Sequence, residues 1–154
     1  MRLWSFHKPE IIKDTSKYRG NTLGFYSING NSALDFQDHS KKENVVNFLK
    51  KIREYNPGKK IIIILNNFRS HHSEIVKETA FLLDISLIFL PPYSPDLNPI
   101  EFIWKSIRRV ISTTFIDSEE KLRGKIEESF LQLSERLTFA KSWARKFLNE
   151  SIIV

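Results

Sequence analysis

Five consecutive residues, Ile61-Ile62-Ile63-Ile64-Leu65, constrain this chain more than any others in it. An unbroken β-branched run bounded by Lys59-Lys60 and Asn66-Asn67 suits a strand buried on both faces of an α/β sheet. The residues that follow agree. Ser73 is placed to cap a helix running to about Leu83, and Ile85 to Leu90 supplies a second buried strand that stops at Pro91-Pro92. Strand, helix, strand reads as a parallel βαβ unit.

Upstream, Thr22 to Ile28 and Ala33 to Phe36 flank Asn29-Gly30-Asn31, which predicts a β-hairpin. Val45, Val46, Phe48, Leu49 and Ile52 recur at helical spacing between Glu43 and Tyr55, and Asn56-Pro57-Gly58 ends that helix. Downstream, Asp117 or Ser118 opens a helix whose Leu122, Ile126, Phe130, Leu133 and Leu137 share a face. Thr138 starts another carrying Phe139, Trp143 and Phe147. With 154 residues, no internal repeat and no separating linker, one domain is expected.

Composition narrows the function classes. The absence of cysteine excludes a disulfide scaffold, thiolate zinc sites and a cysteine nucleophile. No run approaches the ~18 apolar residues of a membrane span, so no membrane partner is expected. Met1 to Pro9 lacks the pattern of a secretory leader, which makes the cytoplasm the expected compartment. A net charge of +6 favours a polyanionic partner, DNA or RNA.

Pro91 to Trp104 holds four prolines in a loop that ends at a helix start. Asn98 stands at the N-cap, Pro99 at the first helical position and Glu101 at the third. Ile100, Ile103, Trp104, Ile107 and Ile111 face inward, while Glu101, Lys105, Arg108 and Ser112 line another side. A carboxylate at the head of a basic stripe suits a metal beside a phosphate backbone contacted by Lys105, Arg108 and Arg109. The same residues also read as a capping box, Asn98 to Glu101, with Leu97 and Phe102 as its hydrophobic staple, and a cap needs no catalysis.

Leu90-Pro-Pro-Tyr-Ser-Pro-Asp-Leu-Asn-Pro-Ile-Glu101-x-x-Trp104 resembles the signature around the last acid of DDE transposases of the mariner-like prokaryotic insertion-sequence branch. Ile64 to Ser73 resembles the block around that family's second acid, which normally reads Leu-Asp-Asn with a following His. The 34 residues between Asn66 and Glu101 match the branch's interval. The resemblance implies an RNase H-like mixed sheet with flanking helices. It also implies three acids that hold two Mg2+ or Mn2+ ions, and cleavage and strand transfer of DNA at transposon ends and target. Hard cations of this kind prefer carboxylate and water oxygens.

The chain departs from that pattern. Asn66 stands where the second acid belongs, so Glu101 is the one member of the triad that remains and Asn66 a weak ligand at best. The first acid and its central strand are expected to be missing, as is the amino-terminal helix-turn-helix region, leaving residues 1–154 as a truncated catalytic core. Asp35, on a hairpin strand, is the best internal stand-in, and a solvent-facing strand residue is its simpler reading. Arg69 and His72, beside Asn66, join Lys105, Arg108 and Arg109 as expected DNA contacts, while His71 and His72 suit loop fixing better than metal ligation. Lys41, Lys42, Lys50, Lys51 and Arg53 form either a second DNA-facing surface or an ordinary solvated helix face. Three functions follow. They are a DDE transposase domain with defective catalysis, a non-catalytic DNA-binding or oligomerising fragment that inhibits the full-length enzyme, and an inert remnant. The expected partners are DNA and either another copy or the upstream half of a split transposase, with a nucleoid-associated location. Loss of a central strand also predicts marginal stability or self-association.

Overall fold

The computed structural model describes residues 5–7, 21–37, 41–67, 69–94 and 97–147, without the side chains of residues 5–7, 21, 69, 70 and 147. Strands β1 (Ser5–His7), β2 (Asn21–Phe25) and β3 (Ala33–Phe36) form an antiparallel sheet in that order. Strands β4 (Ile61–Leu65) and β5 (Ile85–Phe89) pair in parallel, Ile61 opposite Ile85 and Leu65 opposite Phe89. The helices are α1 (Lys42–Tyr55), α2 (Glu74–Leu82), α3 (Ile100–Ser112), α4 (Glu119–Ser134) and α5 (Thr138–Phe147).

The hairpin and the parallel βαβ unit form as the sequence predicts, and the three-residue β1 is an addition. The expected Asn-Gly turn takes another shape. Among the described glycines Gly58 alone has a positive φ, so Gly30 is not there to supply a left-handed residue. A Cβ at Gly30 would lie 2.4 Å from Asn56 Oδ1. That close approach is what demands glycine. Asn56 Oδ1 accepts the Asn31 N–H at 2.7 Å, and its Nδ2 donates to Asn31 O at 2.9 Å, which fastens the hairpin loop to the end of α1.

Leu23, Phe48, Leu49, Ile52, Ile63 and Leu65 fill the core beneath α1, and Trp104, Ile107, Leu122, Ile126 and Phe130 continue it between α3 and α4. The Trp104 and Phe130 rings stack with centroids 5.4 Å apart. Arg53 donates to Leu83 O at 3.0 Å and Asn56 O at 2.6 Å, tying the carboxyl ends of α1 and α2 together.

Three expectations need correction. Strand β4 is buried on one face only: Ile62 is 55% exposed and Ile64 37%, and on β5 the same face shows Ile88 at 50%. The α1 and α2 layer covers the opposite face. Ser73 takes the N-cap position of α2, but its hydroxyl bonds none of the first-turn amides, and its carbonyl receives Val76 and Lys77 instead. Leu137 lies beyond the end of α4 and is exposed rather than part of its inner face.

Candidate functional site

The site forms where two chain segments meet. Strand β4 delivers Asn66 at its carboxyl end, and Leu90, just past β5, donates to Leu65 O at 2.8 Å, which holds the two strand ends level. The loop from Pro91 then leads to α3 and Glu101. The carboxyl ends of parallel strands are where α/β folds place ligands.

The start of α3 answers the capping question. Asn98 Oδ1 accepts the Ile100 N–H at 3.4 Å, and Asn98 O accepts the Glu101 N–H at 3.1 Å, so Asn98 does cap the helix. Glu101 does not close the box. Its carboxyl receives a hydrogen bond from the Asn66 side chain, and its Oε1 has no hydrogen-bond partner among the described residues. Phe102 turns outward, with the Lys105 ammonium 5.3 Å from its ring centroid.

Burial dominates the electrostatics of Glu101. The residue is 7% exposed, and desolvation pushes its carboxyl from 4.5 up to about 7, against the opposing pull of Arg108 and Lys105. At neutral pH the group is therefore divided between acid and carboxylate. The helical turn of 100° per residue puts Glu101, Lys105 and Arg108 on one stripe and Arg109 about 80° to the side. Lys105, Arg108 and Arg109 are all exposed, so the stripe runs from a buried acid out to a basic surface.

Asn66 is buried at 6% exposure and braced from behind. His71, 2% exposed, donates from Nδ1 to Asn66 O at 3.1 Å, and burial drives the imidazole down to about 4, so it is neutral. His72 stacks on Phe89 with centroids 4.0 Å apart and bonds Asn67 Oδ1 through Nε2. Both histidines thus hold the loop after β4. Arg69 lies in the short 3-10 turn Arg69–His72, and its side chain is outside the described residues.

Asp35 does not join Glu101. Its carboxylate accepts the Phe36 N–H at 3.1 Å and the Gln37 amide at 2.6 Å, with Lys51 Nζ at 3.9 Å. Lys51 also donates to Leu34 O, and Arg53 donates to the carbonyls of Leu83 and Asn56. Trp143, which its sequence position marks only as an aromatic on α5, also bears on the site. Its indole N–H donates to Leu97 O and pins the loop ahead of Glu101. An aromatic on a late helix carries no sequence signal for that contact.

The donor set bears on metal binding. Glu101 and Asn66 offer hard oxygens of the class that Mg2+ and Mn2+ take, but with at most one negative charge between them. Among the described residues no group of three His, Asp or Glu side chains gathers to hold a metal ion. Among the described residues these two side chains offer fewer anionic oxygens than the three acids that the resemblance implies.

A family model described as DDE superfamily endonuclease matches residues 7–123. The crystal structure of the catalytic domain of Mos1 mariner transposase is similar at TM-score 0.60 and 16% identity, covering 94% of this chain and 79% of that one. The Mos1 Strand Transfer Complex is similar at TM-score 0.63 and 17% identity, covering 87% of this chain and 45% of that one. A structure of the Mos1 transposase catalytic domain and Raltegravir with Mn gives TM-score 0.61 at 17% identity, covering 83% of this chain and 76% of that one. The chain thus spans 45% of the length of the Mos1 chain in the strand transfer complex. At these identities the likeness concerns the fold, which is RNase H-like. No curated protein matches the chain. Among the described residues no helix is long and apolar enough to cross a membrane.

Proposed function

Because the chain belongs to the DDE superfamily endonuclease family, we propose that it is the DNA-acting core of a transposase whose catalysis is defective, Glu101 being the one acid of the implied three. The observation that carries this reading is the pairing of buried Glu101 with the Asn66 side chain, where the resemblance calls for two carboxylates.

Lys105 and Arg108 hold the phosphates of a DNA strand over the head of α3, and Arg109 extends that hold to the side. Phosphate contacts of this kind set register without reading sequence. Glu101 and Asn66 would be the residues holding a divalent cation, which when bound activates the attacking oxygen and stabilises the leaving one. The Asn66 amide brings oxygen but no charge, so cation affinity and alignment both fall. His71 keeps Asn66 at the rim of the site. DNA, as transposon ends and target, is the proposed substrate, and a second polypeptide, another copy or the upstream half of a split transposase, would supply the acids this site lacks.

The test is nicking of transposon-end DNA by the chain alone in Mn2+ or Mg2+, beside a salt-dependent binding assay. We expect binding that weakens steeply with salt and cleavage near background. Robust cleavage abolished by Glu101→Gln would overturn the defect. Absence of any DNA binding would overturn the nucleic-acid reading as a whole.

A further inference from the structure

Two described non-glycine residues have a positive φ, Asp84 at 56° and Tyr93 at 58°. Asp84 follows Leu83, the C-cap of α2, a place where a short polar residue often takes this conformation. Tyr93 has no such reason. A bulky residue in the left-handed region is strained, and such strain persists only where the surroundings impose it.

The surroundings do impose it. Pro91 and Pro92 stiffen the approach, and Ser94 Oγ donates to Pro92 O at 3.2 Å. The loop is fixed at its start by Leu90 N–H on Leu65 O, and at its end by Leu97 N–H on Ser94 O and by the Trp143 indole on Leu97 O. The product of all this restraint is a tyrosine ring that is 102% exposed and packs on nothing. It stands three residues past Leu90, whose N–H bonds Leu65 O next to Asn66, and eight residues ahead of Glu101 on the helix that carries Lys105 and Arg108.

We propose that Tyr93 is a base-stacking residue: its ring takes an unpaired DNA base next to the phosphate held over Glu101. This rests on the reading of the surface as a DNA site and names what that site recognises beyond phosphate. An aromatic face on a restrained backbone, in the segment that leads into the helix bearing the exposed cations, suits a single-stranded base, because every base offers a π-face once unstacked and cations take the backbone. A paired duplex hides those faces.

The experiment compares a blunt duplex with the same duplex bearing a short single-stranded overhang that contains a fluorescent purine analogue. Wild type should bind the overhang DNA more tightly and quench the analogue. Tyr93→Ala should lose the quenching and bind the overhang about tenfold more weakly, with blunt-duplex binding unchanged. Tyr93→Phe and Tyr93→Trp should behave as wild type. Tyr93→Gly, which relieves the positive φ, should melt about 2–4 °C higher while losing the overhang preference, which separates stacking from folding. The proposal is overturned if Tyr93→Ala binds the overhang as wild type does, or loses both DNAs equally. It is also overturned if the substitution changes only self-association, which would make the ring a protein contact. If wild type binds neither DNA, the DNA reading itself fails. If it binds both without regard to Tyr93, this inference alone fails.

Discussion

Two buried titratable residues, Glu101 and His71, pull the pH dependence of stability in opposite directions. The Glu101 carboxyl is raised to about 7 in the fold, so the native state holds a proton that the unfolded chain releases from about pH 4.5 upward. Its contribution is complete below pH 4.5 and is lost as pH climbs through 7, a fall of about 3 kcal/mol. His71 is lowered to about 4 against 6.5 unfolded, so its contribution is complete above pH 6.5 and is lost as pH drops through 4, again about 3 kcal/mol. The ramps offset each other between about pH 4.5 and 6.5. Thermal melts should therefore be nearly flat there for wild type. Glu101→Gln should uncover the rising ramp and His71→Asn the falling one, and parallel curves for both variants and wild type would refute the assignment. At pH 8 Glu101→Gln should also be more stable than wild type while losing divalent-cation binding in calorimetry, the mark of a residue kept for something other than stability. Asn66→Asp should do the reverse. It should melt lower in chelator, because two carboxylates then share a buried site, and recover on adding Mg2+.

At the scale of elements, the position of α3 against β2 decides whether Glu101 reaches Asn66. A Cβ at Gly24 would lie 2.4 Å from Trp104, so Gly24→Ala should cost about 1–3 kcal/mol by forcing α3 outward. Gly24→Ala with Trp104→Phe should regain part of that loss in denaturant melts, and additive losses would show that the two do not meet. Helix α4 offers a cleaner case. Ser118 Oγ accepts the Lys121 N–H at 3.1 Å, and Ser118→Ala should cost about 1 kcal/mol with no effect on the site. These elements were largely legible beforehand, since Asn98-Pro99, Ser118 and the apolar spacing of α1 and α3 are local signals. The one-sided burial of β4 was not. A run of four isoleucines carries no alternation, so it reads the same whether one face is covered or two. The Glu101 to Asn66 contact was equally hidden from local reasoning, because 34 residues separate them and only the family resemblance set them side by side.

For the molecule as a whole, charge and shape divide the surface. The stripe on α3 should govern the electrostatics of DNA binding: Lys105→Ala and Arg108→Ala should each reduce the slope of log affinity against log salt by about 0.9. Unchanged slopes would move the contact surface elsewhere. The other notable region is the sheet face bearing Ile62, Ile64 and Ile88. Water meets three branched hydrocarbon side chains in one contiguous patch, and a colloid with such a patch is sticky. In handling, that predicts strong retention on phenyl resin and turbidity on concentration. Ile62→Thr should relieve both at little cost to the β geometry, leaving Glu101 and its neighbours as they were.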